Sequence, residues 1–160
     1  MSVLKLAGVV VLLGSAVAAQ KQPMPEVVVK ARTAHILAEA PEKDEAHVKA
    51  LQTECEELVK KWGRFEIVSD PAEADLVFQV RYGEQYVADD RPMGLATKPV
   101  LQPQVTLDVF AGRNAEWFQT PRLWQESGAS RYRWQEAAKQ ALQKLRKEIE
   151  RAERAAARKK

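Results

Sequence analysis

Any catalysis in this chain would have to be built from few imidazoles and thiols, because its 160 residues hold two histidines, His35 and His47, and one cysteine, Cys55. His47 and Cys55 share a segment of helical periodicity. At 1.5 Å rise per residue they lie about 12 Å apart along the axis, too far to share a zinc ion. No Gly-x-Ser-x-Gly elbow, His-Glu-x-x-His pair or phosphate-binding glycine loop occurs. No metal and no cofactor is therefore expected. Carboxylates are more plentiful, and Asp70 with Asp75 or Asp89 with Asp90 could in principle serve a hydrolase that needs only two at a set separation. Asp70 reads better as a helix cap and Asp75 as a turn acceptor. The expectation is a non-catalytic protein, with carboxylate-dependent hydrolysis as a second alternative.

Binding chemistry is better supplied. Of the four tryptophans, Trp62 and Trp134 fall on helical stripes and read as core, while Trp117 and Trp124 fall in a hairpin region. Trp117 with Phe118 is a candidate partner-binding anchor. Asp89, Asp90 and Arg91 are further candidates, in a long loop. From residue 144 to 160 there are eight basic and three acidic residues, so the tail carries the excess behind the formal net charge of +3 and the remaining body is slightly acidic. Arg151, Arg154, Arg158, Lys159 and Lys160 are candidate contacts with an anionic surface or polymer.

Compartment narrows the partners. Lys5, the apolar run 6–13 and the small residues Ala16, Val17, Ala18 and Ala19 form a secretory signal peptide over residues 1–19, cleaved after Ala18 or Ala19. The apolar run is about half the roughly 20 residues a spanning helix needs, and no cysteine stands at the cleavage region for lipidation. The expected product is exported, periplasmic or secreted, and soluble. Its partner is then an envelope protein, an envelope polymer or an anionic membrane surface, and not nucleic acid. Cys55, without a second cysteine, leaves stability to packing and reads as a small buried hydrophobe.

The elements that position these residues follow from periodicity. After a polar lead-in over 20–26, residues 27–37 are rich in β-branched and aliphatic side chains and read as a strand ended by Pro41. Val48, Leu51, Cys55, Leu58 and Trp62 recur at intervals of three and four, predicting a helix capped by Asp44 and stopped by Gly63. Residues 65–68 read as a strand, 69–75 as a turn, and 76–82 as a strand with Leu76, Phe78, Val80 and Tyr82 on one face. The pattern lapses over residues 83–103, read as a long functional loop. Alternation resumes over 104–110, Gly112, Arg113 and Asn114 turn the chain, and 117–125 return as a hairpin partner. Residues 127–130 read as a break with Ser130 as a cap. A second helix carries Trp134, Ala138, Ala141, Leu142, Leu145 and Ile149 on one side. Past Ile149 only alanines are apolar, so 150–160 read as a basic helical tail with little to bury.

The predicted fold is an α+β two-layer sandwich, a single domain over 27–149. Its mostly antiparallel sheet of four to five strands carries two helices on one face, in the order β-α-β-β-β-β-α.

Three segments carry a resemblance: Trp62-Gly63-Arg64-Phe65-Glu66-Ile67-Val68, Ala74-Asp75-Leu76-Val77-Phe78-Gln79-Val80, and Leu123-Trp124 before a basic helix. This arrangement resembles the small α+β domains of periplasmic envelope-assembly proteins: the curli-secretion factor, the lipoprotein activators of penicillin-binding proteins, and the amino-terminal domain of the Tol-system propeller protein. The resemblance implies an envelope-assembly domain. It assigns no functional residues here.

Overall fold

The computed structural model describes residues 22–41, 43–87, 100–131 and 133–158. The elements run α1 (Glu26–Lys30), β1 (Thr33–Glu39), α2 (Glu45–Trp62), β2 (Glu66–Ile67), β3 (Leu76–Val87), β4 (Val100–Ala111), a 3-10 turn (Trp117–Gln119), β5 (Trp124–Ala129) and α3 (Trp134–Ala157). The five strands form one open sheet in the order β2-β1-β3-β4-β5. The predicted signal peptide lies outside the described residues.

The α+β class and the helices on one face are as the sequence predicts. The sheet is mixed: β3, β4 and β5 are antiparallel, whereas β1 runs parallel to both β2 and β3. Parallel neighbours need a crossover, and α2 supplies it between β1 and β2. α2 forms where expected, since Asp44 accepts the His47 N–H at 2.8 Å and Gly63 takes the left-handed conformation at φ 71°. Its buried stripe of Leu51, Cys55 and Val59 meets Ile36, Phe78, Leu107 and the α3 residues Ala138, Leu145 and Ile149 in a single core.

Three predicted boundaries change: the strand over 27–37, the hairpin partner over 117–125, which is a 3-10 turn followed by a strand only from Trp124, and the break over 127–130. The run over 27–30 is helical, not strand, and the strand read over 27–37 begins at Thr33. Val28 is fully buried there and α1 packs on α3, so tertiary contact overrides the β preference of a valine run. The α3 tail is helical to Ala157, and Glu153 pairs with Arg64, whose guanidinium also donates to the Val29 carbonyl. Residues 127–130 do not break the chain, because Gly128 lies inside β5. A Cβ at Gly128 would sit 1.9 Å from the Ala137 carbonyl oxygen, so this glycine lets the α3 backbone rest on the strand. Ser130 does not cap α3, whose N-cap position is Arg133 with no side-chain cap.

The face opposite the helices is partly covered. The connection between β4 and β5 folds Trp117 against Phe110, ring centroids 5.3 Å apart, beside the buried Val77 of the neighbouring strand.

Candidate functional site

Of the residues with catalytic potential, Asp89 and Asp90 lie outside the described residues, and Cys55, His35, His47, Asp70 and Asp75 are placed as follows. Cys55 is buried, and desolvation, with Glu54 and Glu56 adding to it, pushes its thiol up to about 12. His35 Nδ1 lies 3.1 Å from the Val68 carbonyl oxygen. His47 packs edge-on against Tyr82, centroids 4.8 Å apart, and beside Trp134 at 5.4 Å. Asp70 accepts the Ala72 N–H at 2.8 Å, but in a turn, since residues 71–75 form no helix for it to cap. Asp75 is not a local turn acceptor. Its carboxylate takes the N–H groups of Arg32 and Thr33 at 2.8 and 3.1 Å and the Arg113 guanidinium at 2.8 Å, so it ties the start of β1 and the β4–β5 connection to the start of β3. Among the described residues, no three of His, Cys, Asp and Glu come together as metal ligands.

The predicted long loop over 83–103 is shorter than the lapse in periodicity suggests. β3 and β4 continue pairing through Glu84↔Pro103, Gln85↔Gln102, Tyr86↔Leu101 and Val87↔Val100. Among the described residues no third strand follows them, because β1 pairs with β3 only as far as Arg81 and β5 pairs with β4 only from Gln104, the Ser130 N–H adding one bond to the Pro103 carbonyl at 3.0 Å. Residues 84–87 and 100–103 thus form a two-stranded ribbon extending past the body of the sheet. Tyr86 is 66% exposed, and Val100 and Leu101 are about as open as each other at 42% and 43%. Alternation lapses there because both faces are exposed. Tyr86 and Leu101 share one face, continuing the row of Tyr82 and Glu84.

The base of the ribbon is pinned. The Tyr82 hydroxyl donates to Glu84 Oε1 at 2.6 Å and Lys43 Nζ reaches the same oxygen at 3.1 Å. These two donors, Tyr82 first, lower the Glu84 carboxyl, while burial and then the Glu84 charge raise the Tyr82 hydroxyl.

In the body of the sheet, side chains from the helices meet part of both edges. Beyond the short β2, the free side of β1 is met by Gln52 of α2, which accepts the Ala38 N–H at 2.8 Å and donates to the Ile36 carbonyl. On the far side, Lys144 of α3 donates at 2.6 Å to the Ser127 carbonyl of β5. Two side chains thus stand where a neighbouring strand would pair.

The sequence-predicted contacts fare differently. Asp89, Asp90 and Arg91 lie outside the described residues, as do Lys159 and Lys160. Trp117 is 7% exposed and serves as cover for the sheet rather than as an anchor, because Phe110 and Val77 need a lid on that face; Phe118 beside it is 62% exposed. Arg151, Arg154 and Arg158 are exposed and, with Lys147 and the Lys144 that reaches the β5 edge, recur at alternating intervals of three and four along one side of α3. Sequence reasoning missed Tyr86 and Leu101, whose signal was the Tyr82 row continuing past Gly83. It also missed Arg81, Asp108 and Arg122, which meet on the face opposite the helices only through strand register. Between α2 and α3, a groove of about 160 Å³ has Leu58, Trp62 and Leu142 along it and Lys61, Lys139 and Arg146 at its rim.

No protein-family model and no curated protein matches the chain. Among solved structures it is similar to a PelC dodecamer from Paraburkholderia phytofirmans at 12% identity, covering 74% of this chain and 86% of that one, with a TM-score of 0.46. It is also similar to a neuraminyllactose-binding hemagglutinin homologue from Helicobacter pylori at 9% identity, covering 89% and 95%, TM-score 0.43. A minor lipoprotein from Acinetobacter baumannii matches at 14% identity over 72% and 91%, TM-score 0.41. No family membership follows from these likenesses.

Proposed function

We propose that this protein is an exported, non-catalytic binding or assembly module of the bacterial cell envelope that engages a protein partner through the β3–β4 ribbon. The observation that carries the reading is the contrast between the ribbon and the body. Where β1 and β5 would offer free backbone, Gln52 and Lys144 meet part of it, whereas residues 84–87 and 100–102 pair with no third strand among the described residues and expose Tyr86, Val100 and Leu101. Export is supported by the signal-like residues 1–19, and no helix among the described residues is long and apolar enough to cross a membrane. The structural engagement of Asp70, Asp75 and Cys55 supports a non-catalytic role.

The basic stripe on α3 favours a second reading, attachment to an anionic surface or polymer through Arg151, Arg154 and Arg158. One experiment separates the two. Tagged protein is incubated with native envelope extract at low and high salt, with a Tyr86→Ser, Leu101→Ser double variant alongside. Ribbon binding predicts at least a tenfold loss of captured partner in the variant at both salts, with thermal stability unchanged. Capture that survives the double substitution and disappears only at high salt rejects the ribbon in favour of the stripe.

A further inference from the structure

Asp108 is the one polar side chain that is buried among the described residues, at 1% exposure, and it sits on the sheet face the helices leave free. Burying a carboxylate is unfavourable unless it is paired and hydrogen-bonded. A single arginine would suffice, yet two converge. Arg81, from the adjacent β3, places its Nε at 3.1 Å from Oδ2 and a second nitrogen on the same oxygen. Arg122, from the connection entering β5, donates to Oδ1 at 3.1 Å. Each guanidinium is therefore tethered through a different oxygen of one buried carboxylate. Their side chains remain 45% and 46% exposed, with N–H donors left over on both.

The surroundings bias the open side. Cross-strand register puts Thr106 and Ser127 in the row of Arg81, and Gln79 and Gln125 in the row of Asp108. The nearest acid along these rows, Glu39 on β1, is on the far side of Arg81 from Arg122 and accepts from Gln79 at 3.0 Å. Arg81 and Arg122 carry one positive charge more than Asp108 alone cancels, with Glu39 cross-strand from Arg81 on the β1 side, and the row neighbours on β4 and β5 are the hydroxyls of Thr106 and Ser127 and the amide of Gln125. A guanidinium fork matches the two oxygens of a carboxylate or phosphate, and tethering lowers the ordering cost of using it.

We propose that Arg81 and Arg122, positioned by Asp108, form a binding site for an oxyanion, a carboxylate or phosphate group, on the sheet face opposite the helices. The site is separate from the ribbon and stands whether or not the ribbon takes a partner.

The test is titration of the isotope-labelled full chain with sodium phosphate and, separately, with sodium malonate, against sodium chloride of matched ionic strength, following the arginine Nε–H resonances. Saturable shifts at Arg81 and Arg122 are expected with at least one of the two anions, and the anion that saturates identifies the source as phosphate or carboxylate. Arg122→Gln keeps a donor for Asp108 and should weaken binding at least tenfold, while Lys147→Gln on α3 leaves it unchanged. Shifts that fail to saturate, that chloride reproduces, or that persist undiminished in Arg122→Gln overturn the proposal.

Discussion

Asp75 shows how a residue with catalytic potential becomes an anchor. The Arg32 N–H, with the Thr33 N–H and the Arg113 guanidinium, holds its carboxyl down at about 2 against partial burial, which acts the other way. The carboxylate therefore titrates lower in the folded chain than in the unfolded one, where the ordinary value is 3.8. The unfolded chain binds the extra proton between those values, so the stability from Asp75 is complete above pH of about 4 and is lost as pH falls through about 2. Allowing for solvent screening of a partly exposed group, the contribution is about 1–2 kcal/mol. Asp75→Asn should accordingly lower stability at pH 7, and the gap from the unsubstituted protein should close on acidification. Urea unfolding of both proteins between pH 7 and pH 2 measures it; a gap independent of pH would deny the charge any part. The Ala-Asp-Leu step was visible in the sequence, but not this role, because its partners stand about forty residues away in both directions.

At the scale of elements, Gly128 decides how closely α3 approaches the sheet. An added Cβ would meet backbone, the Ala137 carbonyl oxygen at 1.9 Å and the Ala141 nitrogen at 2.9 Å, and backbone cannot rotate away as a side chain can. Gly128→Ala should therefore push α3 off β5 and cost about 2–3 kcal/mol. Gly83→Ala is the control: nothing lies within 4 Å of its Cβ, and the change should stay within about 0.5 kcal/mol. Denaturant midpoints of the two variants decide between a packing role and a general intolerance of alanine in strands. Gly128 also marks where sequence reasoning reaches its limit. A glycine between serine and alanine reads as punctuation, and only the helix laid across it shows that it is a contact. α2 was legible throughout because its cap, stripe and stop are all local. The direction of β1 was not, since alternation records which face a side chain takes and says nothing of which way a neighbouring strand runs. The valine run before β1 misled for the complementary reason: its burial comes from α3, more than a hundred residues later.

For the whole molecule, the same separation between local and distant information governs what can be said of function. The signal-like segment and the basic tail were readable from composition. The ribbon and the Arg81–Asp108–Arg122 cluster exist only once β3 and β4 are in register. That register also gives meaning to Gln52 and Lys144, which in the sequence are unremarkable polar positions on helices. A sheet edge left open invites pairing with another chain, and a side chain hydrogen-bonded along it both satisfies the backbone and denies that pairing. Replacing Gln52 with leucine, of similar size, leaves the Ile36 carbonyl and Ala38 N–H without their partner, a loss of about 1–3 kcal/mol. Adding Lys144→Met frees the second edge. The double variant should therefore self-associate at concentrations where the parent does not, as sedimentation velocity would show, while the single Lys144→Met change has the smaller effect because it uncovers one carbonyl. If the double variant sediments like the parent, edge closure has no part in controlling association. The contrast between a blocked body and an open ribbon would then lose its significance, and the ribbon would have to stand on its exposed Tyr86 and Leu101 alone.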